Sequence, residues 1–95
     1  MGPVVVDDPA RSAFELQVDG VAAGHAHYRL ADGVIVFTHT EIDDAYGGRG
    51  LGGVLARAAL DSARDRGLRV RPLCPFIRGW IGKHPEYADL VVPGA

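Results

Sequence analysis

A glycine-rich segment at residues 47–53 (GGRGLGG) has the residue types and spacing best suited to chemistry. Glycine lets the backbone turn sharply and approach a ligand closely. An amphipathic stretch follows the segment, so its end is predicted to form the first turn of a helix. Such a turn presents unpaired N–H groups and a partial positive charge. The segment therefore suits a phosphate or a pyrophosphate group.

Three further side chains are candidates for proton transfer or nucleophilic attack. His39 and Glu41 are two residues apart in a predicted strand, so their side chains are predicted to share one face of the sheet. Either residue can serve as a general base, directly or through a water molecule. Cys74 follows the last predicted strand, where its thiolate would be a strong nucleophile. The alternative for Cys74 is a small buried core residue.

Two other histidines, His25 and His27, also alternate onto one face of a predicted strand. Imidazoles at this spacing can contribute to a metal site, which usually needs three or more protein ligands. The sequence shows no third ligand near them. The single cysteine also excludes a cysteine-cluster metal site and an intramolecular disulfide. A solvated strand face is the favoured interpretation, and no metal is predicted.

The elements that must position these residues follow from hydrophobic periodicity. Alternating apolar and polar residues over 13–18, an apolar run over 34–37 and two turn signals predict an antiparallel meander of three strands, over residues 13–18, 21–30 and 34–42. Residues 1–12 contain proline and aspartate and are predicted to be a flexible lead-in outside a single domain that spans residues 13–95.

A helix is predicted over residues 51–66, with Gly67 as the glycine that ends it. Residues 68–73 are predicted to form a fourth strand, parallel to the third because a helix separates the two. A second helix is predicted from Pro75 to about residue 83. The result is an α+β domain, too short to cover both faces of its sheet. We therefore expect a monomer with an exposed sheet face or a weak homodimer.

The composition limits the classes of function. A chain of 95 residues makes one domain, and its hydrophobic content of 47% is typical of a globular protein. The net charge of −2 argues against a nucleic-acid partner, since nucleic-acid-binding modules are usually basic. No apolar run approaches the roughly 20 residues needed to cross a membrane, and no signal peptide or myristoylation motif is recognised. We therefore expect a cytoplasmic protein.

Three kinds of phosphate-binding loop can contain such glycines. The Walker A loop ends in Gly-Lys-Ser/Thr, but the only lysine of this chain is Lys83, so that loop is excluded. Gly48-x-Gly50-x-x-Gly53 formally matches the dinucleotide fingerprint. However, an antiparallel meander before the loop is the wrong topology, and residues 68–70 lack the acidic residue that the fingerprint expects.

The third kind is a coenzyme A pyrophosphate loop, and here the chain resembles the GCN5-related acetyltransferases. Their loop, Arg/Gln-x-x-Gly-x-Gly/Ala, lies between a central strand and a helix, and residues 47–52 (GGRGLG) match its two glycines. Gly47 departs from the pattern, because Arg or Gln is usual there, and Arg49 can supply the charge instead. Further segments resemble the family in the same order, at residues 38–41 (THTE), 71–76 (RPLCPF) and 83–87 (KHPEY). Over residues 14–90 the chain is similar to the minimal single-domain members, the YjdJ-like proteins.

The resemblance implies an abbreviated acetyltransferase fold in which acetyl-CoA lies between two splayed parallel strands. It implies that Cys74 lies at the thioester and that Thr40 and Ile42, near the split, bind the cofactor through backbone groups. His39 or Glu41 would accept the proton of an amine acceptor. The residues expected to hold the pyrophosphate are Gly47, Gly48, Arg49, Gly50, Leu51, Gly52 and Gly53.

These expectations describe an acetyl-CoA-dependent N-acetyltransferase that modifies the amine of a small molecule, or of a lysine or peptide. Two other classes are compatible with the sequence. A module that binds CoA or acyl-CoA without efficient catalysis would agree with the short acceptor side. A plain interaction domain with a vestigial loop would not bind CoA at all.

Overall fold

The computed structural model describes residues 2–93 of the chain. In this part of the chain, five strands, two α-helices and two short 3-10 helices follow one another. The strands are β1 (Pro3–Asp8), β2 (Ala13–Val18), β3 (Val21–Ala31), β4 (Val34–Ile42) and β5 (Arg69–Pro72). The α-helices are α1 (Leu51–Asp65) and α2 (Pro75–Lys83), and the 3-10 helices span Asp44–Tyr46 and Pro85–Leu90.

The strands form one sheet in the order β1-β2-β3-β4-β5. Neighbouring strands are antiparallel from β1 to β4, and β5 lies parallel to β4 after the crossover through α1. This topology confirms the predicted meander, crossover helix and parallel pair. Within residues 2–93, no helix has the length and apolar character that crossing a membrane requires.

Both helices pack against the same face of the sheet. Leu55 and Leu60 of α1 and Ile77 of α2 are fully buried and join one core cluster with Ile35 and Phe37 of β4. The two helices also approach each other closely beside this cluster. The opposite face of the sheet is therefore left without a covering helix in the described part of the chain.

The turns form where the sequence provides the required backbone conformations. Asp19-Gly20 and Asp32-Gly33 have positive φ at both residues, as the two-residue turns of twisted hairpins need. Gly67, with φ of +69°, ends α1. Its N–H bonds the Arg64 carbonyl, and the N–H of Leu68 bonds the carbonyl five residues earlier, as in a Schellman motif.

The structure corrects the predicted lead-in. Pro3–Asp8 forms β1 and pairs with β2 along its whole length, from Pro3 opposite Val18 to Asp8 opposite Ala13. The prediction failed because this segment does not alternate apolar and polar residues and begins at a proline, so no local pattern marked it. Residue 1 of the predicted lead-in and residues 94–95 of the predicted domain lie outside the described residues.

Asp7 fixes β1 to the rest of the domain. The buried Tyr28 on β3 donates its hydroxyl to Asp7 at 2.6 Å, and Arg66 at the end of α1 lies 3.5 Å from the same carboxylate. Burial of the hydroxyl, and then its bond to Asp7, raises the pKa of Tyr28 to about 12. One carboxylate therefore joins the edge strand, the central sheet and the helix.

Replacing Tyr28 by Phe is expected to lower the free energy of unfolding by about 1.5–3 kcal/mol, because a hydrogen bond to a charged group is lost. Wild-type stability should also fall as pH rises from 10 to 12, since the unfolded chain loses the Tyr28 proton first. Urea unfolding followed by circular dichroism at pH 7, 10 and 11.5 tests both points. Tyr46→Phe is the matched control. If the free energy of unfolding of Tyr28→Phe fell as steeply above pH 10 as that of the wild type, the assignment of this pH dependence to Tyr28 would be contradicted.

Candidate functional site

The strands β4 and β5 separate halfway along β4. Their pairing ends with Phe37 opposite Pro72, and the Phe37 carbonyl accepts the N–H groups of both Leu73 and Cys74 at 3.0 Å. Pro72 has no N–H to donate, and Pro75 turns the chain into α2. Residues 38–42 of β4 therefore continue without a strand on that side, as far as residues 2–93 show.

An extra residue interrupts the alternation of β4 at the same point. His27 of β3 lies opposite His39, whereas the next residue, Tyr28, lies opposite Phe37. Thr38 is thus left without a partner in the ladder, which is a β-bulge. An insertion of one residue moves every following side chain to the other face of the sheet.

The bulge decides which side chains face the helices. Before it, Ile35 and Phe37 point into the core. After it, Thr40 takes that face, since it lies opposite a buried alanine of β3 and contacts Cys74, the residue that precedes α2. His39 and Glu41 point to the face without helices. The two residues share one face, as predicted, and their side chains lie 3.3 Å apart.

The backbone groups of Thr40 and Ile42 face the open edge of β4. Asp43 donates its N–H to the Ala23 carbonyl of β3 at 2.8 Å. From Asp43 back along β4, every second residue directs its backbone N–H and carbonyl groups to β3. The residues between them direct these groups away from β3. Thr40 and Ile42 belong to the second set, so their backbone groups can hydrogen-bond an extended ligand.

Cys74 lies at this split on the helix face. It is the N-cap residue of α2, and its side chain is only 3% exposed. The Sγ atom lies 3.3 Å from the Thr40 hydroxyl oxygen, just past the last paired residue of β4. The thiol is therefore held against the unpaired part of the strand.

The opposite face carries a carboxylate that two imidazoles contact. Nε2 of His39 lies 3.3 Å from one oxygen of Glu41, and Nε2 of His25 lies 3.2 Å from the other. His27 contacts the ring of His25 edge-on at 4.5 Å and stacks on that of His39 at 6.3 Å. Hydrogen bonding to His39, above all, lowers the pKa of Glu41.

Sequence reasoning missed the participation of His25 and His27 in this arrangement. Their spacing placed them on one face, but their proximity to Glu41 depends on the pairing of β3 with β4, which brings His25 directly opposite Glu41. No group of three or more metal-ligating side chains suited to a metal ion occurs among residues 2–93.

The glycine-rich segment leads from β4 into α1. Gly48 and Gly50 have φ of +77° and +72°, a conformation that residues with a Cβ atom rarely adopt. Gly50 is the N-cap of α1 and has no side chain to bond the first-turn N–H groups, so these groups can serve a ligand. Arg49 is exposed, and its guanidinium lies 5.3 Å from the centre of the Tyr46 ring.

Three predicted cofactor-binding residues also have a packing role. A Cβ atom on Gly52 would lie 2.7 Å from the Phe76 ring, and one on Gly53 would lie 3.2 Å from the Trp80 indole nitrogen. These two glycines thus permit the close approach of α1 and α2. The side chain of Leu51 is buried in the core, so only its backbone N–H faces outward to a ligand.

The predicted site residues gather around one stretch of β4 but on its two faces. Cys74 and Thr40 lie on the helix face, whereas His39 and Glu41 lie on the other. The split between β4 and β5 is the opening that joins the two sides. A reacting group in this opening can therefore be reached by side chains from both faces of the sheet.

Comparisons with known proteins show the family. Residues 13–90 match the family described as GCN5-related N-acetyl-transferase. The chain is 34% identical over 96 residues to the human protein NATD1, with 96% of this chain and 85% of that protein covered. It is 36% identical to the bovine protein NATD1 over 96 residues, with the same coverage.

Solved structures share the fold. A GCN5-like protein from Staphylococcus aureus matches with a TM-score of 0.72 and 25% identity, over 94% of this chain and 87% of that one. A ribosomal-protein-alanine N-acetyltransferase from Brucella melitensis matches in fold, with a TM-score of 0.61 and 18% identity, over 87% and 62% of the two chains. Fold and family together define an N-acetyltransferase. The chain belongs to the GCN5-related N-acetyl-transferase family, and the narrower YjdJ-like grouping stays a prediction.

The position of Glu41 depends on Gly24, which lies on β3 beside the end of β4. A Cβ atom on Gly24 would lie 2.6 Å from the Glu41 carbonyl oxygen. This oxygen belongs to the backbone, so it cannot easily move away. We expect Gly24→Ala to lower the free energy of unfolding by about 1–3 kcal/mol, as overpacking does. Gly79→Ala in α2, where a Cβ atom meets open space, should be neutral or stabilise by up to about 1 kcal/mol. Equal urea midpoints of unfolding for Gly24→Ala and Gly79→Ala would refute the expected difference in stability.

Proposed function

We propose that this protein transfers the acetyl group of acetyl-CoA to a primary amine. The observation that carries the proposal is the opening between β4 and β5, with unpaired backbone on one side and a buried thiol at its end. Membership of the family supports acetyl transfer in general, and the local geometry supports the thioester donor and the amine acceptor.

The cofactor would bind along one continuous path. The first-turn N–H groups of α1, together with Arg49, would hold the pyrophosphate. The backbone of Thr40 and Ile42 would bond the pantetheine amides, as an added strand does. This path ends beside Cys74, where the thioester carbonyl would lie. Gly47, Gly48 and Gly50 shape the loop, while Gly52 and Gly53 let α2 pack close behind it.

The reaction then needs a proton acceptor and a leaving-group acid. The amine loses a proton and its nitrogen attacks the thioester carbonyl; the carbon–sulfur bond breaks, and the CoA thiolate takes up a proton. The thiol of Cys74, beside the unpaired end of β4, would donate that proton. The alternative is that Cys74 first accepts the acetyl group and the amine attacks the new thioester.

A second candidate function is a module that binds CoA without efficient catalysis. The open face around His39 and Glu41 favours it, since no helix of the described chain walls an acceptor site there. Steady-state turnover across a panel of amines and peptides separates the two functions. Intact CoA binding with no turnover of any acceptor would support the module.

Calorimetric titration with acetyl-CoA tests the cofactor assignment directly. We expect micromolar binding of acetyl-CoA and of CoA, and no binding of a free nicotinamide dinucleotide. Arg49→Ala should weaken CoA binding about tenfold, because a charge-assisted contact to the pyrophosphate is lost. Arg11→Ala removes an exposed arginine from the turn between β1 and β2 and should leave the affinity unchanged. No heat with either CoA species would overturn the proposed function.

Cys74→Ala is expected to retain CoA affinity and to lower turnover by about 100-fold, the usual contribution of a positioned acid. Thiol release during acetylation of an amine measures the rate. Intact-mass analysis of acid-quenched wild-type enzyme distinguishes the two roles, because an acetylated intermediate adds the mass of one acetyl group at Cys74. Unchanged turnover in Cys74→Ala would remove the cysteine from the mechanism.

A further inference from the structure

Two imidazoles contact Glu41, and these contacts distinguish His39 from Glu41 as the general base. The assignment of the base rests on the proposed function, acetyl transfer to an amine. Both oxygens of Glu41 are engaged, one by His39 and one by His25. A carboxylate held this way is stabilised as the anion. Hydrogen bonding to His39 lowers the pKa of Glu41, which makes the group a weaker base.

The same contacts leave His39 well suited to accept a proton. A neutral imidazole that donates its Nε2–H to a carboxylate carries its lone pair on Nδ1. When Nδ1 takes up a proton, the resulting imidazolium lies beside the Glu41 carboxylate, which stabilises it. The ring of His27 lies nearly parallel to that of His39, with the two ring centres 6.3 Å apart.

We propose that Nδ1 of His39 is the general base, that Glu41 orients and stabilises it, and that His25 is a positioning residue that holds Glu41 in place. The acceptor ammonium gives one proton to Nδ1. The neutral amine attacks the thioester carbonyl and a carbon–nitrogen bond forms. The carbon–sulfur bond breaks, the nitrogen loses its second proton to solvent to give the amide, and the departing CoA thiolate takes up a proton. The imidazolium then returns its proton to solvent.

His25 has this role because Glu41 is otherwise poorly restrained. The Glu41 side chain is 60% exposed and long enough to adopt several rotamers. His25 lies directly opposite it in the β3–β4 ladder and fixes its second oxygen. Without that contact, Glu41 can rotate away from His39.

Other charged groups surround this array. From β2, Glu15 lies opposite His25 in the ladder, and from β3, the ring centre of His27 lies 4.5 Å from that of His25 and 6.3 Å from that of His39. After β4, Asp43 and Asp44 line a cavity of about 440 Å³ together with Glu15, His25 and Glu41. The helices contribute no charge to the array because they pack on the other face. Among these carboxylates, Glu41 is the one in contact with the imidazoles of both His25 and His39.

The experiment measures acetylation of n-butylamine by acetyl-CoA, with thiol release as the readout. His39→Ala should lower kcat about 100-fold. His25→Ala should lower kcat about tenfold with little change in the KM for acetyl-CoA, and His25→Gln, which keeps a donor for Glu41, should recover most of the rate. The double variant His25→Ala with Glu41→Gln should be no slower than Glu41→Gln alone, since His25 acts through Glu41.

The tautomer of His39 provides a readout that needs no acceptor. Long-range 1H–15N correlation spectra of the wild type at pH 8 should show protonated Nε2 and unprotonated Nδ1, and His25→Ala should shift this ratio. If His25→Ala kept the wild-type kcat, or if the losses of kcat in the two single variants added up in the double variant, the positioning role of His25 would be overturned. The proposed function would be unaffected. A wild type that binds CoA but acetylates no amine would overturn the proposed function and the base assignment together.

Discussion

The early end of β5 is the constraint on which the rest of the site depends. β5 pairs with β4 only as far as Pro72, and Pro75 then starts α2, so the chain leaves the sheet while β4 continues to Ile42. The exposed edge of β4 has backbone groups that an extended amide ligand can satisfy. The turn into α2 also places Cys74 at the end of this edge. One pair of prolines thus creates both the opening and the position of the thiol.

The bulge at Thr38 then divides the chemistry between the two faces of β4. Without the extra residue, the alternation of Ile35 and Phe37 would continue, and His39 would point into the helix-covered core, where an unpaired imidazole is costly. With it, Thr40 meets Cys74, and His39 turns toward Glu41 on the open face. A donor group held on one side can therefore meet an acceptor that approaches from the other.

Much of the fold could be predicted because its signals are local. The Asp-Gly turns, the alternation in β2, the apolar run that begins β4, and the proline that starts α2 each act within a few residues, and the predicted bounds of these elements agree with the structure. Strand β1 could not be predicted, since its residues acquire a role only through pairing with β2 and through the contact of Asp7 with Tyr28. The glycine loop was recognised from its composition, but the packing of Gly52 against Phe76 was not.

The sequence by itself determined the order of the elements from β2 to α2, the glycine loop between β4 and α1 and the face shared by His39 and Glu41, because each follows from local signals within one element or turn. The tertiary structure alone decided that His25 contacts Glu41 and that Cys74 lies on the face opposite His39. These relations depend on the register between strands and on one bulge, and a one-residue shift in register inverts every side chain that follows. Local periodicity cannot encode such a shift, because it is fixed only when neighbouring strands pair.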